Sequence, residues 1–148
     1  MQAASTRRSN PERTRATREA LLSAARALFV ANGFAGTSTP GIVDRAGVTR
    51  GALYHHFKDK ADLFRAVLED EARAVAAEIE AAAVFSLEPR AALMAGAGAY
   101  LDAMTVAGRT RLLLIEGPAV LGAPAMRSLD EETAARARGD RNRALLLD

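Results

Sequence analysis

Apolar positions recur along this chain at three- and four-residue intervals, and glycine or proline closes several of the runs. Between Asn10 and Asn32, the residues Leu21, Ala24, Ala25, Leu28 and Phe29 share one side of a helical wheel. Asn10 is a suitable cap and Pro11 a suitable first helical residue, because proline lacks an amide that the first turn cannot use. Gly33 ends this run, and Phe34 is placed to fold back as the apolar partner of a glycine C-cap. A second helix is predicted to begin at Thr39 and Pro40 under a Ser38 or Thr39 cap, with Ile42, Val43 and Ala46 on its apolar side. Gly41 in its first turn weakens it by about 1 kcal/mol relative to alanine. Gly47 then supplies a turn, and a third, short helix is predicted over residues 49–55, with Leu53 and Phe57 four apart on one face. A helix this short depends on packing to persist.

The second half follows the same rhythm. Asp59 is the expected cap of a long fourth helix, with Asp62 in a capping-box-like position. It runs through Leu63, Val67, Val75 and Ile79 to about Val84, roughly 38 Å at about 1.5 Å per residue. A fifth helix is predicted from Glu88-Pro89, apolar at Leu93, Met94, Ala97, Tyr100, Leu101 and Met104, and ending at Gly108. Thr110 opens the run RLLLIEGPAVLG, whose Gly117-Pro118 pair should kink it. A last helix is expected from about Pro124 through Met126 and Leu129. Beyond Asp130 the chain is highly charged and interrupted by Gly139, so its end is expected to fray. The composition, rich in alanine and poor in aromatics and β-branched runs, favours an all-α fold.

Composition narrows the function. A chain of 148 residues can hold one domain, or a small domain fused to a helical partner. The absence of cysteine excludes disulfides, thiolate metal sites and cysteine nucleophiles. The N-terminal segment lacks the apolar centre of a signal peptide, and runs such as residues 112–115 are too short to span a bilayer, so a soluble cytoplasmic protein without membrane contact is expected. The net charge of +2 is unevenly distributed. Residues 1–60 carry ten Lys/Arg against four Asp/Glu, a balance of +6; residues 61–148 carry ten against fourteen, a balance of −4. Only the first part is therefore suited to face a polyanion.

Residues 37–60 concentrate the chemistry. A short helix, a glycine turn and a second short helix form a helix-turn-helix pattern, in which one helix crosses the phosphate backbone and the next enters the major groove. Thr49 and Arg50, at the start of the third helix, can reach base edges or phosphates, and Gly51 allows close backbone approach to DNA. The plainer alternatives are that Gly51 serves close helix packing and that Tyr54 belongs to the core. His55 and His56 are adjacent, so on a helix they point about 100° apart and do not chelate one ion; neither a metal nor another cofactor is expected. Without a general acid-base pair, P-loop or nucleophile motif, the chain does not read as an enzyme.

Taken in order, Leu28-Phe29, Gly33-Phe34, Ile42, Ala46-Gly47-Val48-Thr49, Gly51, Leu53-Tyr54-His55-His56-Phe57 and Lys60 with Leu63 resemble the TetR family of transcriptional regulators. The resemblance covers Arg13 to about Val67; residues 112–122 resemble the sixth-helix region of some members. It implies an all-α protein: a three-helix helix-turn-helix head joined by a long helix to a partial helical ligand-binding body. Residues 1–10 would be a basic flexible arm, 11–58 the DNA-binding domain, and 59–148 the effector-binding and dimerisation region. Tyr54, His55 and Lys60 resemble the family's phosphate-contacting positions, and Thr37 or Ser38 its backbone clamp, leaving Thr49, Arg50 and Gly51 to approach bases.

By the same resemblance, Met94, Tyr100, Leu101, Met104, Leu112, Ile115 and Val120 would line an effector cavity, with Tyr100 and Glu116 as polar groups. The implied function is a ligand-responsive repressor that binds a palindromic operator in double-stranded DNA as a homodimer. Two departures stand out. Pro40 and Gly41 replace the charged residues that commonly open the family's second helix, and the chain stops at Asp148, short of two further helices that form the usual dimer interface. A fragment, a dimer formed through another surface, and a chain that does not dimerise stably all fit this ending. The alternative function is a helical interaction module whose TetR-like head lacks operator binding for want of a stable dimer.

Overall fold

The computed structural model describes residues 10–83 and 88–145, and every regular element among them is helical. The expected basic arm before Asn10 and the expected helix end at Val84 lie outside the described residues. The chain divides into two compact units, residues 1–64 and 65–148.

In the first unit, α1 (Asn10–Asn32), α2 (Thr39–Ala46) and α3 (Arg50–His56) pack with the opening turn of α4 (Lys60–Ala83). Leu21, Ala25, Phe29, Ile42, Leu53, Leu63 and Phe64 are wholly buried, so the stripe read on α1 does face a core. At its centre the ring of Phe29 meets Phe64 edge-on at 4.9 Å and stacks on Phe34 at 5.9 Å. Phe34 and Phe64 meet edge-on at 5.1 Å. Gly33 permits this fold-back: at φ 74° its amide donates to the Phe29 carbonyl at 2.9 Å, and the next side chain turns inward.

The turn between α2 and α3 is a Schellman motif. Gly47 adopts φ 66°, its amide donates to the Asp44 carbonyl, and the Val48 amide donates to that of Val43. Both short helices carry hydroxyl N-caps. The Ser38 Oγ accepts from the Gly41 amide at 3.2 Å, and the Thr49 Oγ1 accepts from the Ala52 amide at 3.1 Å. At the head of α4 the Asp59 Oδ1 accepts from the Asp62 amide, while the Asp62 carboxylate reaches back to the amide of Lys58, one residue before the position of a standard capping box.

The second unit holds the rest of α4, α5 (Pro89–Met104), a π-helical turn (Arg111–Glu116) leading into α6 (Gly117–Leu121), and α7 (Ala123–Leu145). Helix α5 ends four residues before Gly108, at Met104. Its last carbonyls are captured by side chains: Arg109 Nη1 donates to the Ala103 carbonyl at 2.7 Å and Thr110 Oγ1 to that of Met104 at 2.9 Å. Gly108, at φ 81°, lies in the turn that follows. The disturbance expected at Gly117-Pro118 takes the form of the π turn, in which the Gly117 amide donates to Leu112, five residues back. Proline cannot donate to Leu114 and its ring would strike that carbonyl; the wider turn relieves both. Gly117 is needed for a second reason, since a β-carbon there would lie 2.9 Å from the Leu112 carbonyl and 3.0 Å from both Leu68 and Met126. Helix α7 corrects another expectation, because it continues through Gly139. A glycine costs about 1 kcal/mol in a helix, which the surrounding helix-favouring alanines and arginines outweigh.

Arg109 also ties this unit together. Its guanidinium, buried, donates to Glu71 on α4 at 2.8 Å and lies 3.5 Å from Glu78. Removing one partner of a buried ion pair leaves the other uncompensated. We expect Arg109→Met to lower the stability of this unit by about 3–5 kcal/mol, and Glu71→Met added to it to recover much of that loss. Urea unfolding followed through tyrosine fluorescence in a Tyr54→Phe background, where Tyr100 is the sole tyrosine, checks both; an unmoved midpoint in the single variant would count against the pair.

Candidate nucleic-acid interface

The eight residues expected to meet DNA divide into those that face outward and those that hold the scaffold. Ser38, Thr49, Arg50, Gly51, Tyr54 and His55 are exposed. They lie at the start of α2 and along α3, which the two caps and the Gly47 turn fix relative to each other. Leu53 anchors the opposite face of α3 and is wholly buried. Phe57, which ends α3, is buried under the Arg18 guanidinium, 5.3 Å from its ring centroid. A helix of seven residues thus takes its orientation from both ends and from its inner face.

Gly51 lies in the open. A β-carbon there would meet only the Thr49 hydroxyl, at 3.9 Å, so close packing within the chain does not require glycine at this position. Tyr54 is 44% exposed, which removes the core-packing reading for its side chain. The Arg50 guanidinium lies 5.6 Å from the Tyr54 ring centroid, one helical turn away. His55 and His56 meet edge-on at 5.2 Å. Desolvation pushes the His56 pKa below its ordinary value, with lesser contributions from the neighbouring His55 and Arg18 charges.

Thr37 and Lys60 are placed differently from the phosphate-contacting role expected of them. Thr37 is 4% exposed, and its hydroxyl points inward, within 2.8 Å of the Gly33 carbonyl and 3.1 Å of the Leu28 carbonyl. Lys60 donates to the carbonyls of Phe34 and Thr37 at 2.9 and 3.0 Å, and its ammonium sits 4.1 Å from the Phe34 ring centroid. Both side chains are committed to the connection between α1 and α2. The sequence pattern could not show this, because the partner atoms are backbone carbonyls more than twenty residues from Lys60. Arg18 is a further contributor that the motif did not suggest.

In the second unit a cavity of about 480 Å³ opens between α4, α5, the π turn, α6 and α7. Tyr100 and Met104 line it as expected. Met94 is 67% exposed, Leu112 is wholly buried, and Glu116 pairs with Arg111 at 3.4 Å; none of these three, nor Leu101, Ile115 or Val120, lines the cavity. Val75 and Ile79 of α4, and Met126, Asp130 and Thr133 of α7, supply wall that the sequence reading left out. Their spacing was the available signal, one helical face on each helix, but alanine enrichment obscured it. Partial desolvation raises the Asp130 pKa above its ordinary value. Among the described residues, no three His, Cys, Asp or Glu side chains cluster as metal ligands, and no helix is long and apolar enough to cross a membrane.

Comparison with known proteins converges on the same region. Residues 21–67 match bacterial regulatory proteins of the tetR family. The chain is 37% identical over 108 residues to the HTH-type transcriptional regulator AcrR of Shigella flexneri, an alignment that covers 72% of this chain and 50% of that protein. It is 42% identical over 62 residues to the HTH-type transcriptional regulator TtgR of Pseudomonas putida, covering 42% and 30% respectively. The crystal structure of a TetR-family transcriptional regulator from Pectobacterium atrosepticum superposes with a TM-score of 0.68 at 30% identity, covering 93% of this chain and 72% of that one. The chain spans half the length of AcrR, and the TtgR match spans less than a third of that protein.

If Lys60 holds the scaffold, its loss should register in stability. We expect Lys60→Met to destabilise the first unit by about 1.5–3 kcal/mol, the range for hydrogen bonds to a charged group. Urea unfolding without DNA measures it, and a lysine that only met phosphate would leave the midpoint unmoved.

Proposed function

The chain belongs to the tetR family of bacterial regulatory proteins, and from that membership and the geometry of α2 and α3 we propose that it is a DNA-binding transcriptional regulator acting as a ligand-responsive repressor. The observation that carries the reading is the exposed N-terminal turn of α3, where Arg50 stands beside a glycine with open space above it. In a major groove this turn brings the backbone at Gly51 close to the bases and offers the Arg50 guanidinium to a base edge. Ser38 and Thr49 each accept a backbone amide through an oxygen lone pair, which leaves the hydroxyl proton for a phosphate oxygen. The Tyr54 hydroxyl and His55 extend the phosphate-facing row. Thr37 and Lys60 serve by fixing where α2 begins. The alternative, a head without operator binding, has no observation in its favour.

Recognition of a palindromic operator requires two heads, so the proposed working form is a homodimer. The proposed effector site is the cavity lined by Tyr100, Met104 and Met126, which suits a largely apolar small molecule. Such a molecule releases DNA only by its differential affinity for the bound and released conformations.

Selection from a random double-stranded DNA library, followed by binding measurements at about 50 and 200 mM salt, tests the reading. The expected result is a selected inverted repeat whose affinity falls steeply with salt. Weak binding without a selected sequence would overturn it in favour of the interaction-module alternative. For the effector site, Ala76→Phe should fill the cavity and abolish Nile red binding while operator affinity stays at the unsubstituted level. Retained dye binding would move the site elsewhere.

A further inference from the structure

Arg50 and Tyr54 lie one turn apart on the exposed face of α3, and the Arg50 guanidinium sits over the Tyr54 ring at 5.6 Å from its centroid. We propose that the Tyr54 ring is a positioning platform that holds Arg50 extended toward a guanine, so that each half-site carries a guanine whose selection depends on an aromatic ring at position 54. This rests on the DNA-binding reading above and goes beyond it, since there Tyr54 only meets phosphate.

An exposed arginine acquires direction from whatever restrains it before contact. A free arginine side chain has many rotamers to lose, and a residue that must order itself on contact reads a base poorly. An aromatic face one turn along the helix restricts that freedom in the unbound protein. Stacking occupies the face of the guanidinium and leaves its edge nitrogens available, and two of these match the paired O6 and N7 acceptors of guanine in the major groove. Gly51, between the two residues, adds no side chain that would stand between this edge and the groove floor. Thr49 fixes the preceding turn through its bond to the Ala52 amide, so the base of the Arg50 side chain is also held. No other residue of α3 offers a ring to Arg50: His55 and His56 engage each other, and His56 lies 6.3 Å from Phe57.

The test uses the full chain on its own selected operator. Three proteins are compared with the unsubstituted one: Tyr54→Phe, which keeps the ring and loses the hydroxyl; Tyr54→Leu, which keeps apolar bulk and loses the ring; and Arg50→Ala. For each, affinity is measured on the operator and on versions in which every guanine is replaced in turn. Arg50→Ala should abolish the preference for one guanine in each half-site, a preference of roughly five- to a hundred-fold for a bidentate contact. Tyr54→Leu should cut that same preference by about two- to five-fold, as expected for an exposed cation–π contact, and should have no such effect in the Arg50→Ala background. Tyr54→Phe should lower affinity evenly across the series and keep the guanine preference. Thermal unfolding of the variants without DNA confirms that the head remains folded; Tyr54→Phe alone suffices if the leucine variant does not, because loss of guanine selectivity in it would contradict the ring's role. An intact preference in folded Tyr54→Leu, or a selected site without a guanine that depends on Arg50, overturns the proposal and leaves operator binding standing. Failure of the unsubstituted protein to select any site overturns both.

Discussion

One ammonium group fixes the geometry on which the head depends. Residues 33–38 connect α1 to α2 without a helical ladder of their own, so their carbonyls need partners from elsewhere. Lys60, at the start of α4, donates to two of them, Phe34 and Thr37, and covers the Phe34 ring. Thr37 works from the other side, with its single hydroxyl proton shared between the carbonyls of Gly33 and Leu28. Between these two polar ties the three phenylalanine rings close the core. Ser38 therefore begins α2 at a place set by α1 and α4 together, and the Gly47 turn transmits that placement to α3.

Such a constraint explains which parts of the protein were legible in the sequence. Caps and turns involve residues within five positions of each other, so Ser38, Gly47 and Asp59 announce their roles through type and spacing alone, whereas Thr49 and Glu88, expected as first helical residues, are the N-caps of α3 and α5. The buried stripe of α1 was equally visible because helical periodicity is local. Lys60 resembles a phosphate-contacting position in the motif; its partners lie 23 and 26 residues away, and nothing in a linear pattern specifies an inward lysine. Arg109 was passed over for the same reason, since its partner Glu71 is 38 residues distant. The early end of α5 follows from that interaction, because the side chains of Arg109 and Thr110 take the carbonyls another turn of helix would have used.

The second unit shows how small residues hide a cavity from a hydrophobicity count. Ala72, Ala76 and Ala134 line the cavity, and their alanines read in sequence as a general enrichment without position. Large apolar residues drew attention instead, yet Leu93, Met94 and Leu101 on α5 are each about two-thirds exposed or more. A cavity needs small side chains where its walls would otherwise meet, together with larger ones that stop its collapse, here Met104 and Met126. The π turn contributes to the wall, because Leu113 and Leu114 fall within it, and Pro118, the second residue of α6, adds to it.

Economy at the nucleic-acid face follows from the shortness of α3. A free helix of seven residues would be mostly unfolded in water, so any direction its side chains have is imposed by the rest of the head. The imposition comes from the Thr49 cap, the buried Leu53, and Phe57 held beneath Arg18. With the inner face so occupied, the outer face can carry residues that the core does not hold: a glycine with open space around it and an arginine over a tyrosine. Leu53 and Phe57 thus hold the helix in place and Arg50 and Gly51 are left to the proposed recognition, while Thr49 serves both, as cap and as proposed phosphate donor. Exposed Arg50 and Gly51 can therefore be replaced without opening the core of the head, whereas the wholly buried Leu53 has no such latitude.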